Sequence, residues 1–275
     1  GRHAQPEAAS LLRPEGGEVG CGRIVRDGLL DRKEQRGLIA AIERAMRNLF
    51  HQGAQTSFAP EAKSAVRQLG VEGHAYLSDV HRRVREQLAI DFRLPALYSA
   101  GMLVTRIWAD DKVPDDGMDV EKGHAYWNPH VDKANRASYD YSALLYLNTQ
   151  CDADEGGEGG EGGEGVEVGA GCDYESTSAP HFAGGSFAWL DPESDLVIEP
   201  RAGRLVAFTG GLENPHHVRR VSRGTRYVIG MWFTCHEQLQ YREDAPLPDL
   251  PPTPPLPSGA GLSGAARGAG LMSAG

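Results

Sequence analysis

The chain has 275 residues, 40% of them hydrophobic, which suffices for one substantial core, and it holds no apolar run long enough to span a bilayer. A formal net charge of -10 and a sequence pI of about 5.5 argue against a nucleic-acid backbone as the main partner. One domain with unstructured ends accounts for this composition better than two domains, and an opening residue of Gly1 rather than Met leaves room for a signal or membrane anchor upstream.

Residues 1–20 are rich in Gly, Glu, Ala and Pro without apolar periodicity and are expected to be disordered. A single domain is expected over 21–240. Within it, Leu38, Ile39, Ile42, Ala45, Met46 and Leu49 recur at helical spacing, which predicts a helix over 31–50 with Asp31 as its N-cap. Val80, Val84 and Leu88 predict a second helix over 78–91. Both are expected to brace the outside of a β-core.

From about Ala100 the pattern turns strand-like, with strands expected over 102–108, 142–147, 187–190, 196–198, 205–208 and 227–233. Short strands separated by Gly, Pro and Asp turns point to a mainly β fold with flanking helices, a sandwich or jelly roll. The acidic, glycine-rich segment 152–171 reads as a flexible insertion between two strands rather than a second metal site. Residues 241–275 are Pro-rich and then Gly/Ala-rich, and are expected to form a disordered tail. Of the four cysteines, Cys151 and Cys172 flank the insertion and either close it as a loop or remain reduced thiols; Cys21 and Cys235 complete no zinc-binding spacing.

Two stretches carry chemistry. In His130-Val131-Asp132, an extended backbone turns residues i and i+2 to one face, so both side chains reach a common metal from one strand end. Alone, His-x-Asp is a weak signal. Downstream, after the apolar Leu205-Val206-Ala207-Phe208, the chain turns at Gly210 and Gly211. It re-enters through His216, Val218, Val221, Gly224 and Arg226 into the strand beginning at Tyr227. Together the stretches supply two imidazoles, a carboxylate and a fixed cation, the ligand set of a non-haem iron site that leaves positions open for a chelating co-substrate and dioxygen. Arg226 suits that co-substrate because a guanidinium presents two parallel N–H donors to a carboxylate and keeps its charge. His217 competes with His216 for the distal ligand position, and His124 has no partner at ligand spacing.

The region resembles the 2-oxoglutarate and Fe(II)-dependent dioxygenases of the prolyl 4-hydroxylase type. The likeness runs in order through Cys21 to Val25, His130-Val131-Asp132, Leu144 to Asn148, Phe182 to Phe187, Ile198 to Pro200, Gly203 to Phe208, Asn214 to Val218 and Gly224 to Tyr227. It implies a double-stranded β-helix with His130, Asp132 and His216 as Fe(II) ligands. Arg226 becomes the partner of the distal carboxylate of 2-oxoglutarate, with Tyr146 hydrogen-bonding the same group or standing as a core tyrosine. The offsets of Val218 and Val221 fit the family only when His216, not His217, is the ligand, since a one-residue slip reverses every face.

By the same resemblance the activity is hydroxylation of an unactivated C–H bond in a prolyl or lysyl residue of a protein or peptide. O2 and 2-oxoglutarate are consumed, succinate and CO2 are released, and L-ascorbate serves as reductant. Retention of Asp132 favours hydroxylation over halogenation. A membrane-anchored or secretory location is left open by the likeness. Tyr126, Trp127 and Trp189 read either as an aromatic wall for the substrate or as core. Arg226 in place of the lysine of collagen-type relatives, and Arg106-Ile107-Trp108 where some relatives carry a tyrosine, bear on the pocket lining and not on the metal. Two other readings remain: a non-catalytic jelly-roll module that binds metal or a partner, and a cupin-type metal enzyme that does not use 2-oxoglutarate.

Overall fold

The architecture is that of a computed structural model, which describes residues 10–12, 22–47, 49, 55–60, 63–109, 128–151, 172–176 and 180–241. Three layers stack: a helical layer, a large antiparallel sheet and a small antiparallel sheet. In chain order the elements of the large sheet are β1 (Ser10–Leu12), β2 (Arg23–Arg26), β3 (Gln55–Phe58), β4 (Tyr98–Trp108), β5 (Tyr141–Tyr146), β6 (Phe182–Gly184), β9 (Leu205–Thr209) and β11 (Val221–Thr234). They are ordered β1-β2-β9-β5-β11-β4-β3, with β6 paired to the near end of β11. The small sheet is β10-β7-β8, formed by β10 (His216–Val218), β7 (Phe187–Trp189) and β8 (Leu196–Ile198). Two facing antiparallel sheets make the jelly-roll type of fold.

The helices are α1 (Arg32–Met46), α2 (Lys63–Asp91) and the single turn α3 (Asp132–Asn135). Asp31 caps α1 by accepting from the backbone N–H groups of Lys33 and Glu34, while the Glu34 carboxylate accepts from the Asp31 N–H, a reciprocal capping box. The apolar stripe Leu38, Ile39, Ile42 and Met46 of α1 is buried with Val80, Val84 and Leu88 of α2 against Leu145, Leu205, Ile229 and Phe233 of the large sheet. The opposite face of that sheet carries Tyr146, Val206, Phe208 and Val228, which pack on Phe187 and Trp189 of the small sheet. Alternate residues of β5, β9 and β11 thus serve two cores, as the pleat requires.

β11 organises the molecule. It pairs with β4 from Thr225 to Thr234 and with β5 from Val228 to Phe233, with a register shift between Trp232 and Phe233 on the β4 side. Segment 128–135 brings the first motif beside the small sheet: His130 forms an antiparallel bridge with His216.

Several expectations require adjustment. α2 extends from Lys63 rather than from residue 78, with a break at Gly70, whose φ of 71° interrupts the helical path. The glycines at 70 and 73 hide this first half from a periodicity reading. β3 was not expected, since Gln55-Thr56-Ser57-Phe58 is an edge strand with two polar residues at its centre. Ser10–Leu12, inside the segment expected to be disordered, pairs with β2. The rest of 1–20, Cys21, the insertion 152–171, His124, Tyr126, Trp127 and the tail beyond residue 241 lie outside the described residues. Cys151 and Cys172 are joined in a disulfide, and Cys235 is free and exposed.

Because α1 contributes a packing stripe and a capping box independently, two substitutions separate them. In urea unfolding, Ile42→Ala is expected to cost about 2–5 kcal/mol through the cavity it leaves. Asp31→Ala is expected to cost only about 1 kcal/mol.

Candidate active site

The two histidine segments share a short local design. Each ligand candidate ends an Asn-Pro-His tripeptide, Asn128-Pro129-His130 and Asn214-Pro215-His216. Proline fixes its own φ and disfavours helical backbone in the residue before it, so both histidines are approached by extended chain. In both, the imidazole Nδ1 lies 2.9 Å from the carbonyl oxygen two residues upstream, that of Asn128 and that of Asn214. A carbonyl can only accept, so Nδ1 carries the proton and donates, leaving Nε2 with a free lone pair. The two backbones are tied by reciprocal hydrogen bonds, His130 N–H to the His216 carbonyl at 2.9 Å and His216 N–H to the His130 carbonyl at 3.0 Å. The rings therefore lie side by side, centroids 4.4 Å apart.

Asp132 completes the group. His130 Nε2 is 3.8 Å from Asp132 Oδ1, and His216 Nε2 is 3.8 Å from Asp132 Oδ2. All three donor atoms lie within 4.8 Å of one another, the arrangement of residues able to hold one metal ion. Sequence reasoning placed Asp132 on a strand end with His130; instead Asp132 is the first residue of α3, and the extended residue between them is Val131 at φ -125°, ψ 127°. One extended residue suffices to bring positions 130 and 132 to the same side. The turn is anchored by Lys133 N–H donating to the Gly210 carbonyl at 2.9 Å, and Gly210 is required there because a Cβ would run into the Tyr139 carbonyl.

Burial sets the protonation state. His216 is 4% exposed, stacked on Phe187 and edge-on to Phe208. Desolvation pushes its pKa down to about 4, a fall that Asp132 opposes and His130 reinforces. A neutral imidazole is the form that ligates a metal.

Deeper on the same sheet face lies a cation without a counter-ion. Arg226 is 2% exposed, its guanidinium 5.1 Å from the Tyr146 ring. Among the described residues no carboxylate pairs with it, and Arg226 Nε and the Tyr146 hydroxyl are both buried without a hydrogen-bond partner. Burial raises the Tyr146 pKa, with the guanidinium pulling the other way. Buried polar groups without partners are costly in a folded protein. The Tyr146 hydroxyl beside the Arg226 guanidinium forms a cradle suited to a carboxylate. The site residues thus fit both the iron donor set and an anionic co-substrate.

Other residues the sequence did not single out shape this pocket. Gly185, at φ 70°, lets the backbone pass Arg226: a Cβ there would lie 3.2 Å from Arg226 Cδ and 3.0 Å from Phe182 and Val221 side-chain atoms. Asn148 bridges the strand on either side of Arg226, accepting from Tyr227 N–H at 2.9 Å and donating to the Thr225 carbonyl at 2.7 Å. Register places Phe208, Ser142 and Trp232 in one row on the site face. Trp232 stacks on Tyr139 at 4.9 Å between centroids, and the Ser142 hydroxyl is buried without a partner. Trp189, read as wall or core, is core: it is fully buried against Phe187 and Phe208, beneath the Arg23 guanidinium. His217 is turned away from the donor group, which holds His216 alone of the pair.

Comparison with known proteins agrees with this geometry. Residues 118–234 match the 2OG-Fe(II) oxygenase superfamily. The chain is 38% identical over 113 residues to 2-oxoglutarate and iron-dependent oxygenase domain-containing protein 3 of Xenopus tropicalis, covering 41% of this chain and 27% of the relative. It is 28% identical over 271 residues to prolyl 3-hydroxylase 1 of Gallus gallus, covering 89% of this chain and 33% of the relative. The chain thus spans a third or less of the length of these two curated relatives. Among solved structures, a Trichoplax adhaerens prolyl hydroxylase bound to a hypoxia inducible factor peptide fragment gives a TM-score of 0.48 at 15% identity, over 80% of this chain and 86% of that one. A Pseudomonas putida prolyl-4-hydroxylase gives 0.45 at 19% identity, over 78% and 92%. The stretch that matches the 2OG-Fe(II) oxygenase superfamily contains the whole donor group and Arg226.

Proposed function

We propose that this domain is an Fe(II)- and 2-oxoglutarate-dependent dioxygenase that hydroxylates a prolyl or lysyl side chain of a protein or peptide. The observation that carries the reading is the pairing of one three-donor group, His130, Asp132 and His216, with the buried Arg226, which no carboxylate pairs among the described residues. In this reading the three donors hold Fe(II), and Arg226 holds the distal carboxylate of 2-oxoglutarate with the Tyr146 hydroxyl as a second donor. When bound, metal and co-substrate supply the oxidation: one atom of dioxygen enters succinate as 2-oxoglutarate loses CO2, and the other enters the C–H bond as hydroxyl, with L-ascorbate restoring Fe(II) after uncoupled turnover.

The chain's own residues orient and seal. The guanidinium fork fixes the co-substrate in one direction and neutralises its charge. Phe187, Phe208 and Val228 keep water from the space between the cation and the donors. The stacked Tyr139 and Trp232 rings offer a flat apolar surface in the row beside Phe208, against which a prolyl ring can lie. The name of one relative, a prolyl 3-hydroxylase, supports a prolyl substrate. A secretory-pathway location is proposed on the Cys151–Cys172 disulfide, which agrees with an oxidising compartment. No helix among the described residues is long and apolar enough to cross a membrane.

Anaerobic addition of 2-oxoglutarate to the Fe(II)-loaded protein is expected to produce the visible charge-transfer band of a chelated 2-oxo acid. Iron binding without that band would remove the oxygenase reading in favour of a metal-binding module or a cupin-type enzyme. His130→Ala, Asp132→Ala and His216→Ala are each expected to lower succinate formation by more than a hundredfold, and full activity in any of them would sink the ligand assignment.

Arg226→Ala and Gly185→Ala test the far end of the pocket. Both are expected to raise the 2-oxoglutarate KM by at least tenfold while Fe(II) affinity stays within about twofold. The first removes the cation, and the second forces its side chain aside. An unchanged KM in Arg226→Ala would place the co-substrate elsewhere.

A further inference from the structure

The distal histidine is held by a buried network that, among the described residues, the proximal one lacks. Asn214 is fully buried, and every polar atom of its side chain is engaged. Its Oδ1 accepts from Arg23 Nε at 2.6 Å, and its Nδ2 donates to the Thr209 carbonyl at 2.9 Å and to Thr209 Oγ1 at 2.8 Å. Its main-chain carbonyl accepts from His216 Nδ1 at 2.9 Å. Arg23 is itself fixed: both terminal nitrogens reach the Asp191 carboxylate at 2.7 Å, and the guanidinium lies 4.8 Å over the Trp189 ring. Three elements, β2, β9 and the segment after β7, thereby converge on one asparagine whose carbonyl aims the imidazole.

We propose that Asn214 is a positioning residue for His216, locked by Arg23, and that this pair sets the affinity of the site for its metal. The proposal rests on the reading of His216 as an iron ligand. The physical argument is one of freedom. His216 can turn about its side-chain bonds unless Nδ1 is held, and the acceptor that holds it belongs to a turn residue just outside β10. A carbonyl in a turn is fixed only as well as its residue is. Here a side chain with four hydrogen-bonding positions is bound to a charge-assisted partner on one side and to a neighbouring strand on the other, with no room to rotate. Groups that orient a ligating histidine typically change metal affinity by roughly 10–100-fold when removed. Asn128 presents its carbonyl to His130 in the same way but is only half-buried, and no guanidinium holds its side chain among the described residues. The two histidines are thus unequal: one is rigid and buried, the other adaptable and nearer solvent.

The test is anaerobic titration of the metal-free protein with Fe(II), and with Co(II) as a spectroscopic substitute, alongside thermal unfolding of each metal-free variant. Asn214→Ala is expected to weaken metal binding by about 10- to 100-fold. Arg23→Lys keeps a charge against Asp191 but loses the fork that also reaches Asn214, and is expected to weaken binding by a smaller factor. Ile42→Ala, in the helical layer away from the site, is expected to lower the unfolding temperature and leave metal affinity unchanged. The proposal is overturned if Asn214→Ala and Arg23→Lys bind metal as tightly as the unaltered chain, or if affinity falls equally in Ile42→Ala. Should Asn214→Ala not fold, Arg23→Lys against Ile42→Ala decides. His216→Ala marks the other failure: undiminished metal affinity there rejects the ligand assignment itself.

Discussion

The two reciprocal hydrogen bonds between His130 and His216 are the constraint on which the site depends. They join the entry to α3 with the first strand after the Gly210 turn, segments more than eighty residues apart in the chain. A backbone bridge specifies register, and register specifies which side chains face each other. Once His130 and His216 are opposite, their rings must lie together and Asp132, one extended residue further, must turn toward both. Shifting either segment by one residue would present Val131 or His217 instead. The metal-type donor group is therefore a consequence of main-chain pairing, with side-chain hydrogen bonds to Asn128 and Asn214 trimming the angles.

The electrostatics of the pocket are graded along the sheet. At one end sits a neutral imidazole, kept uncharged by burial, beside a second imidazole and a carboxylate. At the other sits a guanidinium that no buried carboxylate neutralises among the described residues. A buried cation without a partner is expensive, and the fold tolerates it through partial compensation by the Tyr146 ring face. Two other arginines of the same protein, Arg23 and Arg204, are held by the carboxylates of Asp191 and Asp27. That contrast is what supports the proposal that Arg226 pairs with an anion from outside the chain.

How much of this could be read in the residues differs from element to element. The three donor residues were read from a weak His-x-Asp signal joined to the family offsets around His216, and the structure brings their ligand atoms within 4.8 Å of one another. Arg226 was singled out by the same resemblance, and the structure buries it in β11. α1 was legible from its stripe and its Asp31 and Glu34 cap. The first half of α2 and the edge strand β3 were not, because glycines and central polar residues erase periodicity where tertiary contact supplies the stability. The helical placement of Asp132 was missed for a similar reason: a single turn such as α3 is held by its hydrogen bond to Gly210 from another part of the chain. Trp189, Tyr139 and Trp232 show the general limit. An aromatic residue in a strand is core or surface according to what lies across the sheet, and that partner is set by topology rather than by neighbours in sequence.

The Asn-Pro-His tripeptide, by contrast, was present twice in the sequence and carried more than the histidines. Its proline enforces extension, its histidine donates backward to the carbonyl two residues before, and its asparagine can be fastened or left loose. In the buried copy it is fastened by Arg23 and Thr209; in the outer copy it borders solvent. An oxygenase must keep its metal through many cycles while admitting substrate past one side of it. In the proposed reading, a ligand held firmly on the inner wall and a less constrained one on the outer wall would meet both demands, the difference lying in what surrounds each asparagine.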